Sequence, residues 1–345
     1  MTKMRAAVVS GPQAFELPET DVPEVQPGGV LVRVRNCGIC GSDLHFYRGE
    51  FPSAPAMRLG HEISGEVAAV GPNVDGITVG QRVAIEPVVV CRSCTFCLTG
   101  RNQLCPQRKF LGTMLPGAFA EYIHVPAYCV HQLPDNIDYE VGSLVEPLAV
   151  AVHGLRQVGL RFGERVAVLG SGTIGLMAQV AARTMGASDV FATARYPHQA
   201  DAARALGTDV VVEANANATQ ELAVGFAGRP PEIVVETVGG HADTLNEAVT
   251  LVQAGGRVSI LGVFSTPVSL NVTPAVLKEV VLFGGITYGQ PDSRSDFEIA
   301  LDIAARRADD LRRLITHRVP LDDIGNGFAI AADKSQRSIK VTVEV

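Results

Sequence analysis

Arg165-Val166-Ala167-Val168-Leu169-Gly170-Ser171-Gly172-Thr173-Ile174-Gly175 is the stretch that decides how this chain folds. A short β-prone run enters glycines spaced G-x-G-x-x-G, and an alanine-rich helical stretch, Ile174–Met185, follows at once. In that context the first glycine permits a tight turn, the second lets backbone approach a pyrophosphate, and the third lets helix and strand pack closely. The unpaired N–H groups at the helix start, around Thr173 and Ile174, favour an anion. Downstream, apolar runs (Asp189–Ala194, Ile233–Glu236, Arg257–Leu261) alternate with helical ones (Gln199–Leu206, Thr244–Val252). That alternation predicts a doubly wound parallel sheet with helices on both faces over 148–286.

The second strand of such a unit usually ends in an acid that binds the adenosine ribose. Here it ends in Ala194 followed by Arg195. No carboxylate stands there to repel a 2′-phosphate, and a guanidinium is placed to pair with one. The reading favours NADP(H) over NAD(H).

The flanks differ in rhythm. Residues 1–147 read as an all-β region, with runs such as Val30–Val34 and Ile63–Val70 broken by Pro27-Gly28-Gly29 and Gly71-Pro72-Asn73. Residues 287–345 hold an amphipathic segment, Asp296–Arg306, and a final strand, Ser338–Val343, expected to complete the first domain. A net charge of -7 with no basic run argues against nucleic acid or an anionic membrane as partner. No run reaches the about 18 apolar residues of a membrane span, and no secretory signal opens the chain, so a cytoplasmic enzyme is expected.

Four of the seven cysteines, Cys91, Cys94, Cys97 and Cys105, follow C-x2-C-x2-C-x7-C. Four thiolates on one short loop can close a tetrahedron around Zn²⁺ with no open position, the arrangement of a structural site, in a lobe over about 88–108. A second constellation is dispersed: Cys40 in Cys37-Gly38-Ile39-Cys40-Gly41-Ser42-Asp43, His61 and Glu62 in Gly60-His61-Glu62, and Glu146 in Leu144-Val145-Glu146-Pro147. Taken singly these are weak signals, because a lone histidine is more often a hydrogen-bonded core residue and Cys37 and Cys40 could be small packers.

In order, the segments Gly-Ile-Cys-Gly-Ser-Asp, Gly-His-Glu, the four-cysteine lobe, Gly117-Ala118-Phe119-Ala120-Glu121-Tyr122, Glu146-Pro147-Leu148-Ala149 and the glycine loop resemble the zinc-containing medium-chain dehydrogenase/reductase family. The likeness is greatest to its sorbitol, butanediol and threonine dehydrogenase branch. It implies a Rossmann domain joined to a mostly-β GroES-like catalytic domain (1–147 with 287–345). It also implies two zinc ions per chain, one structural and one catalytic. By resemblance Cys40 and His61 are catalytic ligands and the third is a carboxylate, Glu62 or Glu146. Ser42 resembles the hydroxyl that takes the alcohol proton, and His45 the histidine that relays it to solvent. Asp43 reads as a turn residue or one that orients the ligands, and Cys37 and Cys129 as buried packers.

The implied reaction is hydride transfer between a secondary alcohol, polyol or sugar-derived alcohol and NAD(P)+, with the reverse carbonyl reduction. Where polyol dehydrogenases of the family tend to carry an arginine before a tyrosine, this chain has Thr287 before Tyr288, which weakens a sorbitol-like assignment. Phe46, Tyr47, Phe119 and Tyr288 are candidate substrate-pocket walls or core residues. A zinc-independent enone or quinone reductase, or a non-catalytic NADPH-binding protein, are the rival readings. Edge-to-edge pairing through Val280–Ile286 would make a homodimer, and tetramers are common in this branch.

Overall fold

The computed structural model describes residues 2–51 and 56–345. The chain divides into two compact units, Met1–Glu146 with Gly289–Val345, and Pro147–Tyr288.

The first unit is organised by one long strand, Gly29–Gly38, whose apolar residues are buried along nearly its whole length. One edge pairs antiparallel with Glu62–Val70, from Val30 opposite Val70 to Gly38 opposite Glu62. Its other edge is shared: Tyr122–Pro126 takes Gly29 to Arg33, and the C-terminal strand Lys340–Glu344 takes Asn36 to Gly38. Arg82–Ile85, Val130–Gln132 and Ile315–Pro320 complete a seven-stranded sheet. Beneath it Phe328 gathers an aromatic cluster, with ring centroids 4.6 Å from Phe15, 5.2 Å from Tyr47 and 5.6 Å from Phe119.

The region is not all-β. Gly41–Tyr47 is a helix that follows Cys40 directly. Leu44 and Tyr47, one turn apart, bury its inner face, and Asp43 accepts a hydrogen bond from the Cys40 N–H at 3.0 Å. That local pattern outweighs the β rhythm on either side. A second short helix, Tyr139–Ser143, starts at Asp138, whose carboxylate accepts from Val141 N–H at 2.9 Å.

The second unit holds six parallel strands in the order Val210–Glu213, Asp189–Ala194, Arg165–Leu169, Ile233–Glu236, Arg257–Ile260, Val281–Gly284. Numbered along the chain this is 3-2-1-4-5-6, the order of a Rossmann dinucleotide-binding fold. Helices Thr173–Thr184, Pro197–Ala205, Ala218–Gly225 and Thr244–Leu251 connect its strands. Among the described residues no helix is long and apolar enough to cross a membrane.

Removing the centre of the aromatic cluster should leave a cavity. Phe328→Ala is expected to lower stability by about 3–5 kcal/mol, read by chemical denaturation, and a loss under about 1 kcal/mol would refute the clustered packing.

Candidate functional site

The four-cysteine loop folds into a short helix, Thr95–Leu98, and a 3-10 turn, Asn102–Leu104. Its sulfurs all lie within 4.8 Å of one another, in a set of four free cysteines. Neighbouring sulfurs are 3.6 Å apart (Cys94–Cys97, Cys105–Cys91) and 3.9 Å (Cys91–Cys97). A tetrahedral metal with sulfur arms of ~2.3 Å has edges of about 3.8 Å, so the cage has the size of a zinc site. Hydrogen bonds from Ser93 and from the Cys94 N–H bring the Cys91 thiol down to about 6. Burial and the neighbouring Cys94 push Cys97 up to about 12. The lobe is pinned to the first unit where the Gln290 N–H donates to the Gly100 carbonyl at 2.6 Å. Gly100 has φ +73°, and a Cβ there would fall 1.7 Å from the Gln290 carbonyl.

The dispersed donors converge on one end of the seven-stranded sheet. Asp43, His61, Glu62, Glu146 and Lys340 are all buried there. Asp43 holds two of the candidate ligands: besides the Cys40 N–H it lies 3.6 Å from Nδ1 of His61. Burial pulls the His61 pKa down, but the negative charge of Asp43 and Cys40 outweighs it and holds the imidazole well above its ordinary value. A pocket that concentrates negative charge around an imidazole attracts a proton or, in its place, a metal cation. The donor chemistry of Cys40, His61 and a carboxylate therefore fits zinc, although among the described residues only the four-cysteine set is closed within one ligand sphere.

The two candidate carboxylates differ. Both oxygens of Glu62 lie 2.6 Å from Nζ of Lys340, which also donates to the Ile39 carbonyl at 3.1 Å. Gly38 makes room for this pair, since a Cβ there would sit 1.9 Å from a Glu62 oxygen. Burial alone would lower the Lys340 pKa, but Glu62, with Cys40 and Glu146 adding their charge, raises it. Glu146 lies in the first turn of the helix Val145–Gln157.

Ser42 is exposed on the Gly41–Tyr47 helix, and His45 is half-buried one turn further on. Nδ1 of His45 is 2.5 Å from a Glu50 oxygen, and its ring stacks on Phe51 at 4.8 Å. The hydrogen bond to His45 lowers the Glu50 carboxyl. Of the aromatic candidates, Phe46 is half-buried and meets Phe51 edge-on at 5.5 Å. Tyr47 and Phe119, candidates for either pocket wall or core, lie in the core around Phe328, and Phe119 also packs against Gly60. Tyr288 is buried as well. Cys37 and Cys129 are fully buried, and burial pushes both thiols well up.

In the second unit the Gly170–Gly175 loop is anchored from below. The Gly170 N–H donates to Thr193 Oγ1 at 2.8 Å, and Ser171 Oγ donates to the Thr193 carbonyl at 2.8 Å. Gly170 has φ +96°, and a Cβ on Gly175 would lie 1.9 Å from the Gly170 carbonyl. A Cβ on Gly172, at the start of the Thr173–Thr184 helix, would meet no protein atom within 4 Å. The loop thus leaves backbone open at the position expected to face a diphosphate. Beyond the second strand, Ala194 and Arg195 line a depression of about 260 Å³, with Arg195 over the Tyr196 ring at 5.6 Å.

Several of these groups have no signal in the sequence. Lys340 is 278 positions from the glutamate it holds. Glu213, opposite Ala194 in the strand register, and Arg204 line the depression beside Arg195. Phe110 faces His61 with ring centroids 5.0 Å apart. For Glu50, only its placement five residues after His45 was available, and that spacing identifies nothing by itself.

Two outcomes test this geometry. Gly175→Ala should cost about 1–3 kcal/mol by overpacking, whereas Gly172→Ala should leave the melting temperature unchanged and weaken dinucleotide binding; equal melting of both variants would contradict the loop. Lys340→Met should destabilise by about 3–5 kcal/mol, because it leaves a buried carboxylate uncompensated. Since the folded pKa of Lys340 is raised above its ordinary 10.5, the ammonium's stabilisation is complete below that pH and is lost as pH climbs through the folded value. Denaturation of wild type and variant across neutral to mildly alkaline pH should therefore give a constant difference.

Residues 26–135 match the model of the alcohol dehydrogenase GroES-like domain, and residues 173–306 that of the zinc-binding dehydrogenase. The chain is 33% identical to the sorbitol dehydrogenase of Bacillus subtilis (strain 168) over 347 aligned positions, covering 99% of this chain and 97% of that protein. It superposes on a zinc-binding dehydrogenase from Sinorhizobium meliloti 1021 solved with NADP, at a TM-score of 0.90, 31% identity and full coverage of both chains. It also superposes on 2R,3R-butanediol dehydrogenase from Bacillus subtilis, with a TM-score of 0.88, 30% identity and 99% of each chain covered. These matches run through both units and through the segments that carry Cys40, His61 and the glycine loop, and they establish that the chain belongs to the zinc-containing medium-chain dehydrogenase/reductase family of alcohol dehydrogenases.

Proposed function

We propose that the protein is a zinc-dependent alcohol or polyol dehydrogenase that exchanges a hydride between a secondary alcohol and NAD(P)+. The observation that carries this reading is the convergence of Cys40, His61 and Asp43 beside two buried glutamates. Cys40, His61 and Glu146 would hold a catalytic zinc, while Glu62 stays with Lys340 as a neighbouring carboxylate. Cys91, Cys94, Cys97 and Cys105 would hold a second, structural ion.

When bound, zinc supplies a Lewis acid that lowers the pKa of the alcohol, and the nicotinamide supplies the hydride acceptor. The chain's own residues do the rest. Ser42 accepts the alcohol proton and passes it to His45, whose imidazole suits transfer near neutral pH. Glu50 accepts from Nδ1–H of His45, which leaves Nε2 as the basic nitrogen that receives the proton. Asp43 keeps Cys40 and His61 in place. Phe46, Phe51 and Phe110 supply apolar wall to the substrate region.

Arg195 supports NADP(H) as the preferred cofactor, and Arg204 adds a second cation to the same depression, against the carboxylates of Glu213 and Asp201. The edge strand Val281–Gly284 and nearby Val276, Leu277 and Ile286 expose apolar surface, which supports a homodimer through that edge. The relatives' names point to polyols and diols as the substrate class.

The decisive assay follows nicotinamide absorbance with sorbitol, 2,3-butanediol and simple secondary alcohols, each with NAD+ and NADP+. Cys40→Ser should abolish turnover, lower zinc content from two per chain to one and leave dinucleotide binding intact; full activity in that variant would remove the catalytic-zinc reading. Glu146→Gln should cost zinc where Glu62→Gln does not, and the reverse result would assign Glu62 as the ligand. Arg195→Gln should reduce catalytic efficiency with NADP+ far more than with NAD+.

A further inference from the structure

Arg58 is used by neither the fold nor the proposed chemistry. Its backbone carbonyl accepts from the Gly117 N–H at 2.9 Å. Among the described residues its guanidinium has no ion-pair or hydrogen-bond partner, and its Nε is sealed from solvent. Other sheltered arginines are paired. Arg257 meets Glu164 at 2.5 Å and donates to two carbonyls, and Arg165 donates to the Phe226 carbonyl at 3.0 Å and lies 3.3 Å from Asp189. A sheltered, unpaired cation costs folding free energy, and an anion bound beside it would offset that cost. Burial pulls the Arg58 pKa down to about 10, still far above neutrality, so the charge persists.

Two depressions meet at this side chain. One of about 440 Å³ is walled by Met4, Met57 and Met114, and one of about 310 Å³ by Val89, Leu111 and Ile123. Pro23, Arg58, Leu115 and Pro116 line both. Asp21, on the first, is already paired with Lys3 at 2.8 Å. His124, on the second, accepts from the Gln26 N–H at 3.3 Å, and burial lowers its pKa, which disfavours the imidazolium and leaves Arg58 as the cation of this depression. The surroundings are thus one unpaired guanidinium among mainly apolar walls, with Thr20, Thr113 and the paired Asp21 as further polar groups on the first depression, of a size usual for small ligands.

We propose that Arg58 is the anchor of a second ligand site, which takes a medium-chain aliphatic carboxylate. The planar fork of the guanidinium matches a carboxylate in two parallel hydrogen bonds, and the aliphatic body lies along the methionine and leucine walls. Phosphate has the charge but not the apolar body, and an alcohol of the same length has the body but not the charge. The site draws on none of the residues assigned to zinc, proton transfer or dinucleotide.

The test is calorimetric titration of the zinc-loaded, NADP+-saturated enzyme with sodium octanoate, alongside 1-octanol, acetate and inorganic phosphate. Octanoate should bind saturably at one per chain, and the three controls weaker by roughly tenfold or more. Arg58→Met should weaken octanoate by a similar factor while its melting temperature holds or rises, because the uncompensated charge is gone. Arg58→Gln, which keeps a polar side chain, gives the same readout should the methionine variant fail to fold. Cys40→Ser should bind octanoate as wild type does. Undiminished octanoate affinity in the Arg58 variants, octanol binding as tightly as octanoate, loss of octanoate binding in Cys40→Ser, or no saturable binding would each overturn the proposal.

Discussion

A buried ammonium holds the first unit's working end together. Lys340 arrives on the last strand of the chain, pairs with Glu62 and donates to the Ile39 carbonyl just before Cys40. One cation thus ties the C-terminus, the strand that follows His61 and the turn that presents Cys40. In a low-dielectric setting such a pair is costly to build and costlier to break, so its value is positional before it is energetic. The side-chain-free Gly38 is what lets the carboxylate lie across the neighbouring strand.

The two constellations of candidate metal ligands are assembled at different ranges. The cysteine lobe is local: fifteen consecutive positions, Cys91 to Cys105, bring four sulfurs to tetrahedral spacing with little help from the rest of the unit. The second set takes Cys40 from a helix start, His61 from the residue before a strand and Glu146 from a distant helix, and depends on the whole sheet for its approach. Among the described residues, accordingly, only the local set is closed within one ligand sphere.

Much of this was legible in the sequence wherever the physics is local. The glycine spacing between strand and helix, the parallel alternation after it and the cysteine spacing all carry their meaning within a few turns of chain. The helix Gly41–Tyr47 was hidden by its seven-residue length within a β-rich region. The strand Val210–Glu213 was hidden too, being three half-buried residues and an exposed one at a sheet edge, and with it went Glu213 beside Arg195. Tyr47 and Phe119 stand beside motif residues in the chain yet lie in the core: Tyr47 because neighbouring positions on a helix face different ways, Phe119 because the bend that carries it packs against Gly60 and Phe328. The Lys340–Glu62 pair had no sequence signature, since two charged residues at opposite ends of a chain become partners only when the sheet closes.

The sulfur cage carries a consequence for how this protein is made. Four thiols within 4.8 Å of one another, one of them shifted toward the thiolate, have the proximity that disulfide formation needs as well as the spacing that suits a cation. The ion and the oxidant compete for the same electron pairs, and whichever arrives first decides the fate of the lobe. A cation bound first would shield the sulfurs from oxidation, and a lobe oxidised first would take its cation only after a reductant had reopened the disulfides.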